Sequence, residues 1–229
     1  MKRSLHHTLL LLVSVTILST PCYADLMDAR RAISSGKGQE AIIELTRLAG
    51  NGEREAQYLL GELYAEGKLI SQDYSRAMLA LTLAIENGFT LAVPLQERIK
   101  EKINLLQLAA LQEEIGALFQ SGGPVKTVPQ RTVYWLGERA LNPIPFTDDE
   151  RGEMARKVGK IHEEKLFSFT AAHTWYTLAE AFGTERAEKD RLRMELFIQP
   201  KSLTQSKEEA IKQYKRYLKQ RHKMVEGKL

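Results

Sequence analysis

The chain is predicted to be an all-α protein built from stacked pairs of antiparallel helices. Three observations carry this. Apolar residues recur with a helical period and no stretch shows strand alternation; glycines and capping residues fall where helices should end; and the sequence resembles itself when shifted by 95 residues.

The first element is a leader. Basic Lys2 and Arg3, an apolar run from Leu9 through Leu18 and a small-residue exit at Ala24 have the form of a secretory signal, expected to be cleaved after Ala24. The mature protein is then expected in the periplasm or outside the cell. The alternative, an uncleaved anchor, needs a longer apolar run to cross a bilayer, and acylation at Cys22 needs small residues where Pro21 stands. Cys22 is the only cysteine and leaves with the signal, so stability must come from packing rather than disulfides or zinc. The remaining 205 of 229 residues suffice for a sizeable core.

From Asp25 to Gln120 the pattern is helical throughout, an N-terminal repeat region. Ala41, Ile42, Leu45, Leu48 and Ala49 follow one helix face, closed by Gly50-Asn51-Gly52. A second helix spans about Glu53 to Glu66, with Ala56, Leu59, Leu60, Leu63 and Tyr64 on its buried side and Gly67 as its stop. Asp73 caps a third, which runs through Ala77, Leu81 and Ala84 to Gly88 and makes a hairpin with the second. Small residues at Ala56, Gly61, Ala77, Ala80 and Ala84 allow close helix axes. Leu91 to Leu118 reads as one further long stretch, with Pro94 in its first turn.

Residues 121–146 contain four prolines and read as a linker, crossed by a short helix from Pro129 to about Leu141. The region 147–229 is helical again. Thr147 and Glu150 form a capping box; the pattern continues through Trp175, Leu178 and Ala181 to Gly183, then through Leu192 and Leu196 to Pro200. Ser206 with Glu209 is expected to cap a last helix carrying Ala210, Ile211, Tyr214, Tyr217 and Leu218 as its apolar stripe.

The shift of 95 residues lays Thr82-Leu83-Ala84, Gly88, Ala92 and Arg98 on Thr177-Leu178-Ala179, Gly183, Ala187 and Arg193, and Glu113-Glu114 on Glu208-Glu209. The stretch Ala56 to Ala92, with Leu60-Gly61-Glu62-Leu63-Tyr64, Gly67, Asp73, Ala77, Ala84 and Gly88, resembles the Sel-one-like repeats, relatives of the tetratricopeptide repeat. A second copy, about Ala155 to Ala187, keeps Ala172, Trp175, Leu178-Ala179 and Gly183 but lacks the turn glycine and aspartate; in the first copy Ala80 stands where Trp175 stands. The resemblance implies an α-solenoid of two degenerate repeat regions, an adaptor whose concave face binds another protein, with no catalytic residues and no cofactor. It places ligand contacts on outward positions of the first helix of a hairpin, here Gln57, Tyr58 and Glu62.

Other chemistry is excluded residue by residue. Gly36-Lys37 and Gly67-Lys68 lack the spacing and the following Ser or Thr of a phosphate loop. His162 has no second histidine four residues on, and His173, about three helical turns away, is too distant to share a metal. The acidic pairs Glu113-Glu114 and Glu163-Glu164, and Asp148-Asp149-Glu150, read as solvated or first-turn charges rather than a sugar-cleaving acid and base.

The formal charge of +4 falls to +2 without Lys2 and Arg3, which argues against nucleic acid as a partner. It is unevenly placed. Nine Lys or Arg against three Glu between Lys201 and Leu229 give a local +6, leaving the rest of the mature chain near −4. Lys212, Lys215, Arg216 and Lys219 are therefore candidates for contact with an anionic lipid or glycan surface, the alternative to a protein-binding role.

Overall fold

The structure, a computed structural model, describes residues 21–144 and 147–227, and of 21–24 the backbone alone. The expected leader lies largely outside the described residues, and the expected cleavage point after Ala24 falls within the first helix. Among the described residues there are no strands. The chain runs as α1 (Pro21–Ser34), α2 (Gly38–Gly50), α3 (Arg54–Glu66), α4 (Tyr74–Glu86), α5 (Val93–Lys100), α6 (Leu105–Ser121), α7 (Pro129–Leu141), α8 (Asp148–Glu164), α9 (Phe169–Ala181), α10 (Glu185–Glu195) and α11 (Pro200–Val225), with one 3-10 turn at Thr90–Ala92.

Each helix packs on its neighbour in sequence from α1 to α4, and again from α6 to α10; α4 also meets α6, and α11 packs on α9 and touches α7. This is the all-α stacking of antiparallel pairs that the periodicity predicts. The repeat is visible in the register: α4 and α9 each have 13 residues and are offset by 95 at both ends. Gly88 and Gly183, both at positive φ, follow them at the same offset.

Local chemistry sets the boundaries. The Asp73 carboxylate accepts from Arg76 N–H at 3.0 Å to start α4, and Gly67 takes the left-handed conformation that ends α3. Thr147 and Glu150 close a reciprocal capping box on α8. Pairs then pack closely because one partner is small. A Cβ on Gly61 would stand 2.7 Å from Leu81, and one on Gly159 would stand 2.7 Å from the Tyr176 ring.

Four expectations are corrected. The Leu91–Leu118 stretch is two helices, because Asn104 and Gln107 form a capping box that restarts the chain at Leu105. The stretch from Thr147 to Gly183 is likewise broken, between α8 and α9, at a turn where Phe167 adopts φ of 51°. Ser206 does not cap the last helix, which begins at Pro200, where a missing N–H costs nothing; Ser206 lies in mid-helix. Of the stripe on α11, Ala210 and Tyr217 are buried, whereas Ile211 and Leu218 face solvent.

The stretch 121–146 carries α7, which packs on α6 before it and α8 after it. Its first turns are pinned to the N-terminal half, with Val125 buried in the cluster of Leu81, Ile99, Ile115 and Phe119. A second core joins Ala155, Leu178, Ala179, Phe182, Ala187 and Tyr217 in the C-terminal half. Each fully buried leucine contributes about 1.5–3 kcal/mol of transfer free energy.

Candidate functional site

The N-terminal half holds a groove of about 590 Å³ between α2, α3, α4 and α6. Gln57, Leu60 and Tyr64, spaced i, i+3 and i+7, form one wall from α3; Leu79, Ala80 and Leu83 come from α4; Ala110, Leu111 and Leu118 come from α6. The surface is mainly apolar. Arg76 stands at its mouth, its guanidinium 5.5 Å from the Tyr64 ring centroid and 3.2 Å from the Tyr64 hydroxyl, and Glu114 stands on the α6 side.

A polar clasp fixes one end. Gln57 donates from Nε2 to the carbonyls of Ala49 and Pro124, both at 3.0 Å. Asn87 donates from Nδ2 to Gln57 Oε1 at 2.9 Å and to the Pro124 carbonyl at 2.7 Å. Four segments are tied by two amide side chains: α2, α3, the end of α4 and the loop before α7. Buried amides keep their hydrogen-bond partners, so the clasp ties these four segments to one another at that end of the groove.

The expected contact residues do not share one surface. Gln57, expected to face outward, is fully buried because its amide belongs to the clasp. Tyr58 lies on the opposite side of α3, its ring centroid 5.1 Å from that of Phe89, and donates to Glu62 at 3.1 Å; burial, then Glu62, raises its hydroxyl pKa. Glu62 borders a separate hollow of about 520 Å³ against α1, with Arg30 and Leu69. Leu60 and Tyr64, read from sequence as buried, are the residues that line the groove, each only half covered. The spacing from Gln57 was the available signal.

On α11 the candidates also separate. Arg216 forms a two-pronged pair with Glu138 of α7, at 2.9 and 2.7 Å, and Lys212 reaches Glu209 at 3.3 Å. Lys215 and Lys219 are exposed and have no carboxylate partner among the described residues.

The C-terminal half contains an arrangement with the outline of a hydrolase triad. Ser206 Oγ lies 2.9 Å from His173 Nδ1, and His173 Nε2 lies 3.3 Å from Glu195. Ser206 is 1% exposed and His173 is 0% exposed, so no substrate reaches the hydroxyl. The chain of bonds joins α9, α10 and α11, and burial holds His173 below the ordinary histidine pKa despite Glu195. His162 and His173, read on one helical stretch, sit on α8 and α9. No group of three or more metal-ligating side chains occurs among the described residues.

Where the N-terminal half has its groove, the C-terminal half is filled. Trp175 occupies the position of Ala80, its indole against Gly137 of α7, and α11 lies on α9. Below it, Arg151 is fully buried on α8, donating to the Ala140 carbonyl at 2.8 Å and to the Asn142 carbonyl, with its guanidinium 4.5 Å from the Tyr217 ring centroid.

No known protein-family profile matches the chain, and no curated protein matches it. Among solved structures it is similar to a protective antigen present in uropathogenic Escherichia coli strains, described as displaying an SLR fold. The identity is 18% and the TM-score 0.39, over 82% of this chain and 44% of that one, so this chain spans less than half of that protein's length.

Proposed function

We propose that this is an exported, non-catalytic helical-repeat protein of the Sel-one-like kind, an adaptor whose N-terminal groove takes a segment of a protein partner in the cell envelope. The observation that carries the reading is the open apolar groove, tied at one end by the Gln57–Asn87 clasp, beside a C-terminal half in which the same position is plugged by Trp175. A groove of this size, lined by leucines with a few polar groups at its rim, suits an apolar side chain or a short helix face presented by another polypeptide. The leader sequence supports export.

In-cell photocrosslinking from a residue placed at Tyr64 tests this. The expected result is a stoichiometric protein adduct, lost with Leu60→Glu and with Ala80→Trp while the melting temperature stays within a few degrees. Crosslinks from Tyr58, on the other side of α3, that persist in both variants would move the surface away from the groove. Fractionation of the tagged full chain tests export; recovery only with cytoplasm, with the leader intact, would overturn it.

A further inference from the structure

We propose that α11 carries a second, independent site: it lies against an anionic phospholipid bilayer. Between Ala210 and Val225 there are six Lys or Arg and no Asp or Glu. Arg216 is committed to Glu138 and Lys212 to Glu209. Lys215, Lys219, Arg221 and Lys223 are exposed and have no carboxylate partner among the described residues. Past Tyr217 no residue of the helix is fully buried; Gln220 and Met224 are half-buried, with Gln220 lining a hollow beside Leu105 and Gln112, and the remaining residues through Val225 are exposed.

The same helix exposes a row of apolar residues seven apart. Ile211 is 55% exposed, Leu218 42% and Val225 76%. Seven residues are nearly two turns, so the three lie almost in line, while Ala210 and Tyr217 face α9 and the core. Lys215 and Lys219 flank the row on one side and Arg221 on the other. The row is one residue wide, too narrow for the broad apolar stripe by which a helix packs into a protein groove. The three lysines and Arg221 are spread along and around the helix rather than converging on one carboxylate; they match a diffuse sheet of phosphate charge, into which the stems reach while the apolar row enters the headgroup boundary.

Flotation of protein produced from the full chain with phosphatidylcholine vesicles, with and without phosphatidylglycerol, tests the proposal. Binding is expected only with the anionic lipid and should weaken as salt rises. Lys215→Glu with Lys219→Glu should lower it about tenfold or more, and Leu218→Gln with Val225→Gln several-fold. All four positions are exposed, and unchanged thermal melting confirms the fold. Ala80→Trp, which fills the groove, should float as the parent does, so this site and the groove fail or succeed separately. Absence of binding at low salt, or equal binding by the lysine variant, overturns the proposal; so does preference for soluble polyglutamate over vesicles, which makes an acidic protein the partner.

Discussion

The two halves of this protein are built on one register and differ in what fills the middle. In the N-terminal half, Ala80 and the half-covered Tyr64 leave an apolar groove open between α3, α4 and α6. In the C-terminal half the corresponding positions are Trp175 and Gly159; the indole lies on Gly137, the Tyr176 ring lies on Gly159, and α11 closes over α9. Large and small residues are exchanged between neighbouring positions while the helices keep their places. A degenerate repeat can therefore turn one copy into a packed body and leave the other a receptive surface by changing side-chain volume alone, since interiors tolerate no unfilled space.

The largest effect is expected where the filled half is emptied. Trp175→Ala removes a half-buried indole that packs on the Leu178 and Phe182 core and on a smaller cluster of Val133, Leu136 and Val158, and should cost about 2–4 kcal/mol, a large share of a typical 5–15 kcal/mol stability, seen as a lower denaturant midpoint. An unchanged midpoint would break the comparison. In the open half the matching vulnerability is polar. Gln57→Ala removes both clasp bonds from Gln57 and empties a fully buried site, while the Pro124 carbonyl keeps Asn87 Nδ2 and the Ala49 carbonyl keeps Gly52 N–H; it should cost about 1–3 kcal/mol. Gln57→Glu keeps the volume and loses the donors, so it should be as damaging.

Filling the groove should matter less to stability. Ala80→Trp is expected to change it by under about 1 kcal/mol if the ring enters open space; a loss in the about 1–3 kcal/mol range of overpacked cores would show the position already full.

Acid should also divide the halves. All histidines after the leader lie in the C-terminal half, and burial depresses the pKa of both His162 and His173. The unfolded chain takes up these protons near pH 6.5 while the folded chain resists. Stability from neutral imidazoles is thus present above about pH 6.5 and lost as pH falls below it. Melting followed by fluorescence should shift down between pH 7 and 5, and His173→Gln should reduce the shift.

Most helix ends were legible because they rest on local chemistry: Asp73, the Thr147–Glu150 box, Gly67, and Pro129 through Leu141 all fall where their residue types suggest. The missed boundaries used weaker signals. Asn104 with Gln107 is an amide version of the capping box, and the break near Phe167 has neither glycine nor proline to mark it. The site was less legible. Periodicity placed Leu60 and Tyr64 on the inner side of α3, and the repeat resemblance put Gln57, Tyr58 and Glu62 at outward positions; helical spacing orders residues around an axis but does not say which neighbour each sector meets.

By itself the sequence determined the all-helical class, the order of the hairpins, the offset between the halves and the basic bias of the last helix, because periodicity, capping and charge are properties of nearby residues. Tertiary structure alone decided that Gln57 is buried, that Arg216 belongs to Glu138, that Ser206 and His173 are sealed from solvent, and that one half stays open. Those outcomes depend on which surfaces distant segments bring together, and on whether the side chains meeting there fill the space between them.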